Sequence, residues 1–454
     1  MNRRDFTLIL KSILAGIALT PGQTALAEMR NRQRIIVIGA GMAGLAAARR
    51  LKGLGHEVIV LEGRDRIGGR IHTSMQWSDL PLDLGASWIH NTKGNPLTPL
   101  ATEAKATMVT TRYADSTGYN TDGSKWTAAD EKRLDALREK IYSILEVAQD
   151  ADADQTLRQA LNSLLGPDAT EAVRREANFI LSSEMETEYS GSAGQLSAHW
   201  YDESSAYSGP DKLFAAGFRV IIDHLAAGLD IRMGKVVTTI DWSKPEVRVT
   251  TNGGEFTADK VLVTLPLGVL KTGQPRFTPA LPAAKQEAIK RLGMGLLNKC
   301  CLRFSSAFWP EDVDWIEYIP TVHGEWTQWV SLQKAMKKPV LIGFLAADVA
   351  AAKEAQTDAQ IVASAMTVLR TIYGNAIPEP ESWQITRWAA DPFACGSYSF
   401  NAVGFKPAMR ATLAAPLDGR LFFAGEATER TRFATAHGAY LSGLRAAEEM
   451  TGNS

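Results

Sequence analysis

One stretch near the start constrains the rest of the chain: Ile35-Ile36-Val37-Ile38, followed at once by Gly39-Ala40-Gly41-Met42-Ala43-Gly44. Four β-branched residues in a row predict a strand buried on both faces, as in a parallel sheet. The Ala-rich run from Leu45 to Leu51 predicts a helix directly after the glycines. Each glycine has its own task. Gly39 permits a tight turn, Gly41 lets backbone approach a pyrophosphate, and Gly44 lets helix and strand pack closely. Free N–H groups at the helix start favour the phosphate charge. A second strand, Glu57 to Leu61, runs into Glu62. That acid falls about 20 residues after Gly41, the spacing at which a carboxylate meets the ribose hydroxyls of a dinucleotide.

This unit alone leaves NAD and FAD open. The next residues, Arg64-Asp65-Arg66-Ile67-Gly68-Gly69-Arg70, add a second glycine turn with arginines. Guanidinium forks suit a second contact with the pyrophosphate. The Gly-Gly-Arg extension resembles the FAD fingerprint of flavin-dependent oxidases rather than a nicotinamide site.

Residues 1–27 read as an address. Arg3-Arg4 and Phe6 precede an apolar run with Leu8, Ile9, Leu10, Ile13, Leu14 and Ile17, and Ala25-Leu26-Ala27 offers a small-x-small cleavage site. Lys11 breaks the run, which is shorter than the ~20 apolar residues of a membrane span. The pattern resembles a twin-arginine (Tat) export signal, which implies the Tat export machinery as a partner, a periplasmic location and no stable membrane span. An ordinary secretory signal or an uncleaved anchor is the alternative.

The remaining chain exceeds one usual core and predicts two domains. The fold class is α/β: a Rossmann-like FAD-binding domain from 33–85, 212–270 and 386–454, with a discontinuous α+β substrate domain from 86–211 and 271–385. Charge is balanced, 49 Lys+Arg against 50 Asp+Glu, so nothing points to nucleic acid. Three cysteines make no disulfide framework. The absence of CxxC, HExxH or clustered histidines gives no reason to propose a metal.

Helical periodicity from Ala128 to about Glu184 predicts a helical lobe. The acids Glu184, Glu186, Glu188, Asp202 and Glu203 read as a solvated face, with a cation-binding role as the alternative. The segment Ile231 to Ile240 predicts a strand, Asn252-Gly253-Gly254 a hairpin turn, and Val261 to Pro266 a buried strand. Lys299 lies in an apolar strand, where a lysine must snorkel, pair or meet a ligand. The aromatic-rich region Phe308 to Trp329 suits a substrate-side sheet or plain core. His90, after Leu84-Gly85-Ala86-Ser87-Trp88-Ile89, is a polar group near a ring or a surface histidine, and composition favours the surface.

Taken together, the motifs resemble the flavin-containing amine oxidases, nearest the polyamine oxidase and lysine-demethylase branch. They are the glycine unit with Glu62 and Gly68-Gly69-Arg70; Leu84-Gly85-Ala86; Thr264-Leu265-Pro266-Leu267-Gly268; Asn298-Lys299; Asp391-Pro392 with Gly396-Ser397-Tyr398-Ser399; and Phe423-Ala424-Gly425-Glu426 with His437-Gly438-Ala439. The resemblance implies FAD contacts at Ala43, Glu62, Arg64, Arg70, Ser87, Trp88, Val237, Glu426, Thr435 and Ala436, beside the glycines Gly39, Gly41 and Gly44. It implies that Lys299 holds a water against flavin N5, that Tyr398 is one wall of an aromatic cage, and that His90 lines the substrate entrance.

Two departures matter. The opposite cage wall, tyrosine in many amine oxidases, is Thr435, as in the demethylase branch, so the cage is half open. Ser397 stands where monoamine oxidases carry the cysteine that binds flavin, so noncovalent FAD is expected. The long demethylase insertion is absent. The expected activity is oxidation of a small-molecule amine, polyamines leading, to an imine by hydride transfer to the flavin, with O2 taking the electrons and forming peroxide. The alternatives are an L-amino-acid oxidase, which needs a cation for the carboxylate, another flavin desaturase or dehydrogenase, or an FAD-folded binding protein without turnover.

Overall fold

The fold is that of a computed structural model and is described for residues 32–452. The export segment, residues 1–27, therefore lies outside the described residues. Five parallel strands form the nucleotide sheet, in the order Leu421–Phe423, Lys260–Val263, Arg34–Ile38, Glu57–Leu61 and Asp230–Arg232. Arg34–Ile38 sits at the centre, and Ile35 to Ile38 are all buried: helices cover the face of Ile35 and Val37, while Ile36 and Ile38 pack on Ile240, Val247, Val249 and Ala258 together with the helical residues Ala288 and Ile289.

The helix after the glycine turn runs Met42–Gly53, starting earlier than the Ala-rich run, since Gly41 already serves as its extended N-cap. Gly39 has φ +104°, a conformation that favours glycine. A Cβ on Gly44 would stand 2.0 Å from the Gly39 carbonyl oxygen, so this glycine is required for packing. The same helix packs on the last one, Ala436–Thr451, where a Cβ on Gly443 would come within 2.2 Å of the Ala43 carbonyl oxygen.

The expected strand from Ile231 to Ile240 is two strands. Asp230–Arg232 ends the nucleotide sheet, while Val237–Asp241 joins a four-stranded sheet with Val247–Thr251, Gly254–Ala258 and Arg276–Thr278. Gly234, at φ +67°, turns the chain between them. Apolar residues stand on both sides of the break, Ile231 and Met233 before it and Val236, Val237 and Ile240 after it, so periodicity could not reveal it.

A six-stranded sheet forms the second layer, in the order Ser382–Ile385, Leu297–Arg303, Val340–Ala346, Gln328–Ser331, Trp315–Tyr318 and Ser116–Tyr119. Lys299 pairs across it with Phe344. The helical lobe opens with Ala128–Gln149, capped by Thr127 and Asp130, and continues through Glu171–Ile180 into a wide π-helical turn, Leu181–Glu186.

Packing corrects the domain boundaries at 86 and 271. Ile89, Leu97, Leu100 and Ala101 share a core with Val37 and Leu45. Ala288, Ile289 and Leu292, from the helix Ala283–Arg291 and its end, share another with Ile36 and Val261. Both segments thus pack on the nucleotide sheet. Their apolar faces find the nearest uncovered sheet surface, whatever their place in the chain.

Candidate active site

A single cavity of about 1080 Å³ runs from the glycine turn to the face of the six-stranded sheet. Gly39, Gly41, Ala43, Glu62, Arg64, Arg70, Ser87, Trp88, His90, Val237, Lys299, Tyr398, Glu426, Thr435 and Ala436 all line it. Gly44 does not, because its place is the helix–strand contact described above.

At the nucleotide end the cradle fits FAD. No side chain caps the helix at Gly41, and Gly41, Met42 and Ala43 border the cavity, so the helix start is open to an anion. A Cβ on Gly41 would meet nothing nearer than the Gly68 oxygen at 4.0 Å, which leaves room for a phosphate. Glu62 is buried. One carboxylate oxygen accepts the Ala40 N–H at 2.7 Å and the other the Arg64 N–H at 2.9 Å, which fixes the acid while each oxygen keeps a lone pair.

The arginine forks behave differently from expectation. Arg64 gives both terminal nitrogens to Asp391, each at 2.8 Å. Arg70 donates to the Ser397 carbonyl at 2.8 Å and to Glu426 at 2.9 Å. Both therefore latch the glycine turn to the C-terminal third of the chain; Arg64 does so with both terminal nitrogens, whereas Arg70 uses only one and keeps its other donors toward the cavity. Glu426 is the hub. Its other oxygen accepts the Ser399 hydroxyl at 2.6 Å and the Ala434 N–H at 2.9 Å. Burial alone would raise its pKa, but the Arg70 charge, the Ser399 hydroxyl and the buried Arg410 outweigh it and hold the carboxyl below the usual range.

Lys299 neither snorkels nor stands free. It is buried and donates to the Asp83 and Gly85 carbonyls at 2.9 and 2.7 Å and to the Ser87 hydroxyl at 2.6 Å. Burial lowers its pKa, with Cys301 and Asp83 opposing. Tyr398 lies on the adjoining segment: Gly295 N–H donates to the Tyr398 carbonyl at 2.8 Å, and Leu297 N–H to the Ser397 hydroxyl at 2.8 Å. The Tyr398 phenol donates to the Thr187 carbonyl at 2.7 Å. Burial, with the Glu188 and Glu426 carboxylates, pushes its pKa well up, so it stays neutral.

From Lys299 an aromatic wall leads outward. The Lys299 ammonium lies 5.6 Å from the Trp88 ring, Trp88 stacks on Trp315 at 6.0 Å, and Trp315 stacks on Tyr113 at 4.3 Å. Phe344 fills the angle between the two indoles. His90 stacks on Trp88 and bonds Asp211 at 3.1 Å; it is an exposed histidine that also borders the cavity. Burial would lower its pKa, yet the Asp211 carboxylate, with Glu188 beyond it, raises it. Thr435 caps the last helix, accepting the Gly438 N–H at 2.9 Å and donating to the Arg432 carbonyl at 2.7 Å.

The acidic stretch is a solvated face only in part: Glu188 and Asp202 are exposed, Glu184 and Glu203 are half-buried and Glu186 is buried. Glu184 accepts from Arg138 at 2.6 Å, and buried Glu186 accepts the Ala193 N–H at 2.9 Å and meets His323 at 2.8 Å. Glu188 borders the cavity. The π-helical turn holds Glu184 and Glu186 and draws those two acids into the lobe, a bend that charge counting cannot foresee. Sequence reasoning also missed Tyr113, Trp315, Gln328, Phe344 and Arg432 as cavity residues. The aromatics were visible only as sheet composition. Among the described residues no cluster suits a metal ion, and no helix is long and apolar enough to cross a membrane.

Comparison with known proteins agrees with this architecture. The family model described as flavin containing amine oxidoreductase matches residues 42–451. Polyamine oxidase 2 of Arabidopsis thaliana is 36% identical over 431 residues, covering 91% of this chain and 87% of that protein. Lysine-specific histone demethylase 1 homolog 3 of Oryza sativa subsp. japonica is 36% identical over 443 residues, covering 93% of this chain but 54% of the rice protein. A solved putrescine oxidase, redesigned in its cofactor binding, superposes with a TM-score of 0.76 at 19% identity, covering 93% of this chain and 99% of that one. The chain belongs to the flavin-containing amine oxidoreductases, enzymes that use FAD to oxidise amines.

Proposed function

We propose that this enzyme oxidises a diamine or polyamine, holds FAD noncovalently and passes the electrons to O2. The observation that carries the reading is the joining of Lys299 and Tyr398 on adjacent segments of one cavity that begins at the nucleotide turn. The relatives named polyamine oxidase and the structural neighbour named putrescine oxidase support the substrate class. In the net reaction the amine loses two electrons and two hydrogens, water hydrolyses the imine to aldehyde and free amine, and O2 becomes peroxide.

Bound FAD would supply the hydride acceptor for the carbon beside the amine nitrogen. The chain's residues prepare the substrate. The walls of Trp88, Trp315 and Phe344 exclude water and favour the neutral amine, whose lone pair hydride loss requires. Tyr398 orients that amine with its ring while its hydroxyl stays tied to Thr187. Lys299 organises a water at the reacting edge. Because its three protons are engaged, it must exchange one bond, to Asp83, Gly85 or Ser87, for that water. Ser397 puts no thiol next to Tyr398, and the Cys395 thiol faces the Pro392 carbonyl at 3.7 Å instead, which supports noncovalent binding.

Anaerobic mixing of the FAD-loaded protein with putrescine, spermidine and spermine should bleach the flavin, and air should restore its colour with release of peroxide. A flavin left oxidised by all three, and by simple monoamines, removes the proposal. We also propose Tat export to the periplasm, on the strength of Arg3-Arg4. Replacing both by lysine should leave the protein in the cytoplasmic fraction; unchanged fractionation counts against it.

A further inference from the structure

The cavity holds a cation that amine oxidation does not use. Arg64, Arg70 and Lys299 are each bound to acceptors of the chain. Arg432 also borders the cavity, but its side chain has no hydrogen-bond or ion-pair partner among the described residues, and its Nε is buried without an acceptor. A buried N–H in that state is unfavourable until a ligand supplies the acceptor.

Its place is built. The Arg432 guanidinium lies over the Tyr207 ring, 5.0 Å from the centroid, which restricts its motion. The loops that carry the two residues are joined: Ser205 N–H donates to the Thr431 carbonyl at 2.7 Å, and Arg430 meets Glu203 at 3.3 Å. On its other side the Arg432 carbonyl takes the Thr435 hydroxyl at 2.7 Å. The position belongs to the substrate end, because Tyr207 packs edge-on against His437 at 5.3 Å and His437 feels the charges of both Arg432 and His90. Lys235 is a second cavity-lining cation without a side-chain partner among the described residues, but its backbone N–H donates to the Glu62 carbonyl, which places it at the nucleotide end.

Facing the same space is Glu188, an exposed carboxylate that also has no partner among the described residues. One free acid and one free guanidinium complement a ligand that carries both signs. We propose that Arg432 is a carboxylate-binding residue and that the enzyme accepts amines that also bear a carboxylate. The inference rests on the amine-oxidase reading for turnover but not for binding. A guanidinium takes a carboxylate through two parallel hydrogen bonds, which an amide side chain cannot reproduce. A substrate made only of ammonium groups gains nothing from Arg432 and is repelled by it.

The test uses the FAD-loaded full chain and two matched pairs, ornithine with putrescine and lysine with cadaverine, which differ by one carboxylate. Calorimetry with propionate should detect binding to the wild type that weakens about tenfold or more in Arg432→Gln, the loss of one charge-assisted contact. The ratio of kcat/KM for ornithine over putrescine should fall by a similar factor, and Arg432→Lys should recover part of both. If Arg432→Gln loses its flavin, Arg432→Lys and Tyr207→Leu carry the same comparison. Equal propionate binding in wild type and variants, no propionate binding, or an unmoved ratio overturns the inference. Propionate held through Arg432 with no flavin reduction by any amine would instead overturn the amine-oxidase reading and keep the site.

Discussion

The two ends of the cavity treat charge in opposite ways. At the nucleotide end the charged groups that frame the cradle are satisfied from within, Glu62 by two backbone N–H groups, Arg64 by Asp391 and Arg70 by Glu426, and Lys235 is the exception among them. At the substrate end Glu188 and Arg432 lack such partners, and the walls are stacked aromatic rings. A cofactor that stays needs a shape held ready before it arrives, so the chain spends its ion pairs on bracing the cradle. A substrate that comes and goes needs charges whose partner is the substrate itself.

If the nucleotide end is a braced unit, Glu426→Ala should do the greatest damage. It leaves buried Arg410 and half-buried Arg70 without their carboxylate, a loss of about 3–5 kcal/mol for a broken buried pair. Thermal melting with and without added FAD checks this, and a melting point within a few degrees of wild type would mean that the bracing is not needed.

Lys299→Met tests the junction between the ends. It strips the Asp83 and Gly85 carbonyls and the Ser87 hydroxyl of a donor, and should cost about 1–3 kcal/mol. Turnover should fall with it, because Lys299 organises the water in the proposed reaction. Stopped-flow traces of flavin reduction and reoxidation, set beside the melting curve, separate the two losses.

Thr435→Ala removes the N-cap of the last helix, for about 1 kcal/mol. Since the threonine is also the open side of the cage, substrate specificity should move less than stability. A large change in kcat/KM with an unchanged melting point would reverse that order.

The smallest effect belongs to His90 and Asp211, a partly exposed pair worth less than about 1 kcal/mol after solvent screening. His90 is held above its ordinary value, so its contribution is full below about pH 6.5 and fades as pH rises through the folded-state pKa. Asp211 is held below its ordinary value, so its share is present above the usual carboxylate range and lost on acidification. His90→Gln should flatten the melting point against pH above neutrality, and an unchanged slope would remove the pair from the account.

Much of the fold was legible. The glycine turn, its flanking strands and Glu62 are local in sequence, and local spacing dictates local geometry. The hairpin at Asn252-Gly253 was equally plain, because a turn dipeptide marks it. The acidic stretch was misread in part because a π-helical turn redirects Glu184 and Glu186, and the strand through Gly234 because apolar residues stand on both sides of the break. Lys299 could be named but its partners could not, since they lie more than two hundred residues away.

The sequence by itself determined the glycine turn, the acid that ends the second strand and the order of the family motifs, and with them the expectation of a bound dinucleotide. Only the tertiary structure decided which charges are spent and which are left. Arg64 finds Asp391 across 327 residues and Arg70 finds Glu426 across 356. No periodicity links such positions; the folded sheets bring them together, and what they leave unpaired, Glu188 and Arg432, is what a substrate can use.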